Sequence, residues 1–196
     1  MRSWPPWVCC GSAFPLRNTR DLSCPVTTTR VAEDVCRFHG VEVIWTATSL
    51  HALYEAASAP DVIFAADGKG GFVVPGFSRS IDGIAAFAQL LGLVARTRLT
   101  LSQIGARIPE ANLLKRSMPT PWAAKGMVMR TVVEAAGDRE LDTTDGVRVI
   151  EPDKGWVLVL PDPSEAVTHL WAEGPDADTA HGLLDEWGAV VERAGR

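Results

Sequence analysis

The residues best suited to bind a ligand lie in one glycine-rich segment, residues 62–77, with the sequence VIFAADGKGGFVVPGF. Its first five residues are apolar, which is typical of a buried strand. The strand leads into a loop of Asp67, Gly68, Lys69, Gly70 and Gly71. Glycines let a ligand approach the backbone, Asp67 can accept hydrogen bonds from hydroxyl groups, and Lys69 can donate to an anion. That chemistry suits a sugar or a sugar phosphate. A tight turn between two strands explains the same pattern, because short glycine motifs often occur by chance.

No other pattern in the sequence predicts a catalytic or a metal site. His51 and His181 have no Cys or His at the spacing of metal ligands. Ser58, Ser102 and Ser117 have no nearby His-Asp arrangement that would make a nucleophile. We therefore predict neither catalytic residues nor metal ligands in this chain.

Composition excludes several classes of protein. The chain has 196 residues, of which 46% are hydrophobic and 22% charged, and a formal net charge of −5. These values are ordinary for a globular protein, and the lack of a basic field argues against nucleic-acid binding. The longest apolar stretch, residues 81–95, is interrupted by Asp82 and Gln89, so we predict no membrane span. The cysteines follow neither metal nor redox spacing, which favours a reducing, cytoplasmic setting; they are Cys9, Cys10, Cys24 and Cys36.

Strand and helix patterns alternate in the first part of the chain and change in character in the last third. The alternation predicts a three-layer α/β/α domain with a mixed, largely parallel sheet. The last third shows a helix, several short strands and a closing helix, which predicts a small α+β domain. Pro109, Pro119 and Pro121 mark the boundary. The expected domains are an irregular extension (1–24), the α/β domain (25–108), a linker (109–122) and the α+β domain (123–196).

Two parts of the chain resemble one enzyme family. Residues 25–33 (PVTTTRVAE) and 62–75 look like the third domain of the α-D-phosphohexomutases, the phosphomannomutase/phosphoglucomutase family, and residues 145–173 look like its fourth domain. Such enzymes transfer a phosphoryl group within a hexose phosphate. The resemblance implies that Asp67 takes the place of an acidic residue in a loop that recognises the sugar, and that residues 67–71 contact the substrate.

The resemblance also implies a phosphate-binding loop in the fourth domain, and this chain departs from its usual sequence. The matching residues are Asp162, Pro163, Ser164, Glu165 and His169. Leu160 and His169 stand where the family has arginines, and Asp162 stands where it has a serine. Since charge-assisted hydrogen bonds contribute about 1.5–3 kcal/mol each, we expect weakened phosphate binding, with His169 contributing only when protonated. The loops at 67–71 and 161–165 are expected to face one cleft.

The serine-bearing loop and the metal loop of the family are absent from the sequence. We therefore expect the carboxy-terminal half of a phosphohexomutase-like protein that is inactive alone and holds no cofactor, although the full-length family uses magnesium. Its expected partners are a hexose phosphate and a missing amino-terminal half. The third domain is expected to lack its opening strand. A missing strand would leave a sheet edge or an apolar face exposed, which predicts self-association. An alternative stays open: a non-catalytic sugar-phosphate-binding or regulatory module of a sugar-1-phosphate nucleotidyltransferase, joined to that domain.

Overall fold

The computed structural model describes residues 21–195, which belong to two compact units that divide between Glu110 and Ala111. The predicted extension at 1–24 therefore lies mostly outside the described residues, as do Cys9 and Cys10. No helix within the described part is both long and apolar enough to span a membrane.

The first unit is built on a four-stranded sheet in the order β2-β1-β3-β4. Strands β2 and β3 run parallel to β1, and β4 runs antiparallel to β3. The strands are β1 (Asp21–Pro25), β2 (Glu42–Thr46), β3 (Val62–Ala66) and β4 (Phe72–Val73). The helices are α1 (Val31–Phe38), α2 (Leu50–Ala57), α3 (Gly83–Thr97) and α4 (Leu101–Gly105).

The path of the chain through this sheet explains its layers. The connection β1-α1-β2 moves to one side of β1, and β2-α2-β3 crosses back to the other side. Right-handed crossovers in opposite directions place α1 and α2 on opposite faces of the sheet. A buried cluster of Leu53, Ala57, Ala65 and Val73 joins α2 to the sheet. The predicted α/β class with a mixed, largely parallel sheet is confirmed.

Strand β1 corrects two expectations. Residues 21–24 were expected in the irregular extension, and the domain was expected to lack its opening strand, yet β1 lies between β2 and β3. Ser23, Cys24 and Val26 are buried. A short central strand covered on both faces does not alternate between apolar and polar residues. The polar Asp21 and Ser23 and the terminal Pro25 also interrupt the apolar run by which such a strand is recognised in a sequence.

The second unit is an antiparallel five-stranded sheet in the order β5-β9-β8-β7-β6 with two helices. The strands are β5 (Asn112–Pro119), β6 (Leu141–Asp142), β7 (Val147–Glu151), β8 (Gly155–Pro161) and β9 (Val167–Gly174). The helices are α5 (Lys125–Ala136) and α6 (Ala177–Gly195). Val128, Val159 and Trp187 are among the buried residues that join the helices to the sheet. This is the predicted α+β arrangement.

Strand β5 corrects the predicted linker. Residues 112–119, within the expected linker 109–122, pair along their whole length with β9, from Asn112 opposite Gly174 to Pro119 opposite Val167. The prolines that indicated a linker lie before this strand, at its last residue and just after it. Proline is tolerated on an edge strand, and β5 is an edge of its sheet.

Candidate functional site

The first candidate site lies where the strand order of the first unit reverses. Strand β1 has β2 on one side and β3 on the other, and the chain leaves the carboxyl ends of β1 and β3 in different directions. Ligands of open α/β sheets bind at such a switch point. The loop after β1 and the loop after β3 meet there, because a Cβ built on Gly68 would lie 3.1 Å from Thr28 Oγ1.

Asp67 organises the loop after β3 through its own backbone. Its Oδ1 accepts hydrogen bonds from the backbone N–H of Lys69 at 2.7 Å and of Gly71 at 2.8 Å. The backbone N–H of Asp67 donates to the carbonyl of Gly71 at 3.0 Å. The five residues predicted to bind substrate thus form one closed loop, and one oxygen of the carboxylate, Oδ2, takes no part in these bonds.

The polar groups around the loop could serve a polyhydroxylated anion. Gly68, Lys69 and Gly70 are exposed, and Asp67 is partly buried. Thr28 Oγ1 is buried and has no hydrogen-bond partner within residues 21–195. A carboxylate oxygen, a hydroxyl group and an exposed ammonium group therefore lie on two adjoining loops. Together they offer acceptors for sugar hydroxyls and a cation for a phosphate.

The second candidate site is the bend between β8 and β9, where phosphate binding is predicted. Asp162 Oδ1 accepts hydrogen bonds from Ser164 N at 2.7 Å, Ser164 Oγ at 2.8 Å and Glu165 N at 2.8 Å. The ammonium group of Lys125 donates to the carbonyl oxygens of Asp162 and Glu165. The N–H and O–H groups that a bound phosphate would need are therefore already bonded to a carboxylate of the same bend. Phosphate binding by residues 162–165 and His169 stays a prediction.

These hydrogen bonds also set the charge of Asp162. The backbone N–H and hydroxyl of Ser164, followed by the N–H of Glu165 and the ring of His169, hold the pKa of Asp162 well below its usual range. Hydrogen bonds to an ionised carboxylate favour the ionised form. Asp162 is therefore negatively charged over the physiological pH range.

His169 connects this bend to β5. Its Nε2 lies 3.1 Å from Asp162 Oδ2, and its Nδ1 lies 2.8 Å from Ser117 Oγ. Sequence spacing gives no hint of this grouping, since Ser117 is 52 residues from His169. The expectation that Ser117 has no His-Asp arrangement nearby is therefore wrong. Only the register of β5 against β9, which places Ser117 opposite His169, would have revealed it.

Magnesium, which the family resemblance implies, finds no matching ligand set in the described part of the chain. No three side chains of His, Cys, Asp or Glu converge there in a way that could hold a metal ion.

Comparisons with known proteins agree on one family. Residues 15–111 match the family model for phosphoglucomutase/phosphomannomutase, alpha/beta/alpha domain III. A probable phosphoglucosamine mutase of Methanopyrus kandleri is 30% identical over 171 residues, which cover 86% of this chain and 37% of that protein. The chain thus spans little more than a third of the length of this curated relative.

Solved structures share the fold. A phosphoglucomutase/phosphomannomutase family protein of Burkholderia thailandensis superposes with a TM-score of 0.75 at 19% identity, covering 90% of this chain and 38% of that one. An N-acetylphosphoglucosamine mutase of Aspergillus fumigatus, in complex with GlcNAc-6P and magnesium, gives a TM-score of 0.68 at 12% identity, covering 91% of this chain and 39% of that one.

An α/β unit followed by an antiparallel α+β unit is the domain III and IV fold of these mutases. The chain belongs to the α-D-phosphohexomutase family. It corresponds to the carboxy-terminal part of such proteins, as predicted, and the nucleotidyltransferase alternative is not favoured.

Proposed function

We propose that this chain is the sugar-binding part of an enzyme that moves a phosphoryl group within a hexose phosphate. The observation that carries the proposal is the loop at residues 67–71, which belongs to the segment matched to domain III and lies at the switch point of the sheet. Several relatives are named as phosphoglucosamine mutases, so hexosamine phosphates belong among the substrates to test.

In this proposal each polar group of the loop has one task. Asp67 Oδ2 accepts a hydrogen bond from a sugar hydroxyl, while Oδ1 keeps the loop closed through Lys69 N and Gly71 N. The ammonium group of Lys69 attracts the phosphate of the substrate. Thr28 Oγ1 is buried nearby without a partner among the described residues, and it bonds to a second hydroxyl when the loop at Gly68, which lies over it, moves aside.

The proposed partners are a hexose phosphate and a polypeptide that carries the phosphorylated serine and metal loops of the family. The proposed location is the cytoplasm, because the cysteine spacing suits a reducing compartment.

Binding to the loop is tested by titrating glucose 6-phosphate, mannose 6-phosphate and glucosamine 6-phosphate into the chain by calorimetry. Asp67→Ala removes both carboxylate oxygens and should weaken binding by at least about tenfold, in line with the loss of hydrogen bonds to a charged group. Asp67→Asn retains an oxygen that can accept from Lys69 N and Gly71 N, so it should fold as the wild type does and still bind more weakly. Glu55→Gln alters an exposed carboxylate of α2 and is the control. Equal affinities for the wild type and Asp67→Ala would refute the site.

Catalysis is tested separately from binding. Isomerisation of the same three sugars, supplied as 1-phosphates with magnesium and a hexose bisphosphate, is measured with the chain alone and with the amino-terminal half of a family member added. Turnover only in the mixture is expected. Turnover by the chain alone would contradict the proposed division of the site. Saturable binding without turnover in either case would instead support the module alternative.

A further inference from the structure

Three side chains of the second unit form a hydrogen-bonded line. Two of them, Asp162 and His169, are also among the residues predicted to bind phosphate, but the line through Ser117 has no task in the proposed mutase function. Ser117 on β5 and His169 on β9 are direct cross-strand neighbours, and Asp162 follows the end of β8. The distances are 2.8 Å from Ser117 Oγ to His169 Nδ1 and 3.1 Å from His169 Nε2 to Asp162 Oδ2. All three residues lie within one compact unit.

The direction of each hydrogen bond follows from the acceptors. An ionised carboxylate only accepts, so in the neutral imidazole the proton lies on Nε2 and points to Asp162. Nδ1 is then left with a lone pair and accepts the hydrogen bond from the Ser117 hydroxyl. This is the order of nucleophile, base and orienting carboxylate found in serine hydrolases. The two ring nitrogens are exchanged, since here Nδ1 faces the serine and Nε2 faces the aspartate. The neutral ring carries one proton in either arrangement.

The surrounding bend holds the carboxylate in place. Asp162 Oδ1 accepts three hydrogen bonds from Ser164 and Glu165, and Lys125 donates to two carbonyl oxygens of the bend. On the other side, the Trp171 ring contacts His169 edge-on with ring centroids 5.5 Å apart. His169 is mostly buried, with 17% of its side chain exposed, whereas Ser117 is exposed and open to a substrate.

We infer that Ser117 is the nucleophile of a second site, which acts on small activated carboxylic esters, with His169 as its base and Asp162 as the residue that positions the base. Ser117 Oγ bonds to the carbonyl carbon as its proton passes to His169 Nδ1, and the ester C–O bond breaks. The departing alkoxide takes that proton and leaves as the alcohol. Water then gives its proton to Nδ1, its oxygen bonds to the acyl carbon, and Ser117 leaves and recovers the proton. The products are an acid and an alcohol.

The charges around the site restrict its substrates. The carboxylate of Asp162 and the neighbouring Glu165 repel a phosphate dianion, so a neutral ester fits better. The N–H groups of Ser164 and Glu165 already bond to Asp162 and do not serve an oxyanion, which in serine hydrolases needs its own donors. The site should therefore hydrolyse esters with a good leaving group and leave amides intact.

The nucleophile is tested with a fluorophosphonate reagent and with p-nitrophenyl acetate on the full chain. Ser117 should be the labelled residue by peptide mass spectrometry, and Ser117→Ala should lose both labelling and ester cleavage. His169→Gln should lower both by about 10²–10⁴-fold, the usual contribution of a general base. Ser102→Ala and His181→Gln change exposed residues of α4 and α6 and should match the wild type. A wild type that is unlabelled, or labelled elsewhere, would overturn the inference whether or not the variants fold.

The role of Asp162 is tested by the position of the imidazole proton. ¹⁵N NMR of the wild type should show His169 protonated at Nε2, and Asp162→Asn should shift the proton towards Nδ1 and slow ester cleavage at least tenfold, because the wrong nitrogen then faces Ser117. Asp138→Asn changes an exposed carboxylate after α5 and is the control. An Nδ1-protonated ring in the wild type, or unchanged cleavage by Asp162→Asn, would contradict the assignment.

Discussion

Asp67 and Gly71 constrain each other at the first site. A Cβ on Gly71 would lie 2.6 Å from Asp67 Oδ2 and 2.7 Å from Ile81 Cδ1, distances that force neighbouring atoms to move. Because Asp67 is held by two backbone N–H groups, it cannot retreat without opening the loop. Glycine is therefore required here for space, and the requirement is separate from any need for an unusual backbone angle.

Gly71→Ala should destabilise the first unit by about 1–3 kcal/mol, the usual cost of forcing a methyl group into a packed site, and should weaken hexose phosphate binding. Gly92→Ala is the matched control, since a Cβ there meets nothing within 4 Å. In the middle of α3 it should stabilise by about 0.5–1 kcal/mol. Urea unfolding measures both. Two variants with the same sign of change would contradict the packing explanation.

Asp162 makes stability depend on pH in a defined direction. Because the pKa of Asp162 is lowered by the Ser164 N–H and hydroxyl, the Glu165 N–H and the His169 ring, the native state binds its proton less readily than the unfolded state does. The stabilisation is complete above the ordinary aspartate pKa of about 3.9 and is lost as the pH falls through the lowered native value.

The free energy of unfolding of Asp162→Asn should therefore fall below that of the wild type by a constant amount between pH 5 and pH 7, and the gap should narrow below about pH 4. Urea unfolding followed by tryptophan fluorescence measures this gap. Asp138→Asn serves as the comparison. A gap that widens on acidification would mean that the hydrogen bonds to Asp162 do not favour its ionised form.

At the scale of single residues, sequence reasoning predicted one candidate site and missed the grouping at the other for a physical reason. Asp67 to Gly71 are contiguous, so their pattern is visible along the chain. The line from Ser117 through His169 to Asp162 depends on the alignment of two strands, and the sequence does not show that alignment.

Strand β5 shows the same limit at the scale of an element. Its prolines favoured a linker, whereas the apolar run at residues 62–66 predicted a buried strand, and β3 spans Val62–Ala66. Proline identifies a position that lacks an N–H donor, and both a linker and an edge strand tolerate such a position. Only pairing with β9 distinguishes the two.

Hydrogen exchange distinguishes a strand from a linker directly. Alternate backbone amides between Asn112 and Met118 should be protected together with those of β9, because the two strands pair without interruption. The backbone amide of Ala166, in the exposed bend between β8 and β9, should exchange rapidly and is the reference. Rapid exchange throughout residues 112–118 would restore the linker interpretation.

At the scale of the whole molecule, helix α3 exposes an apolar face within the described part of the chain. Its 15 residues include none that is buried, although its mean composition is apolar. Ile84, Phe87 and Leu91, at helical spacing on one face, are 85%, 61% and 52% exposed. The expectation of self-association began from a missing strand, and since β1 is present, the physical reason shifts to this helix.

We expect the chain to self-associate through this face, because contiguous apolar patches are uncommon on monomeric proteins. Replacing Phe87 and Leu91 together by Lys should shift sedimentation velocity profiles towards the monomer at the same concentration. Met127→Lys, which removes one exposed apolar side chain from α5 (54% exposed), should leave the profile unchanged. A single monomer boundary for the wild type at high concentration would contradict this prediction, because the apolar face of α3 would then stay exposed to solvent without causing association. An equal shift towards the monomer by Met127→Lys would show that association does not depend on which face carries the apolar residues. Net charge does not explain such a shift, because each added lysine makes the net charge of −5 less negative and so lowers the repulsion between chains.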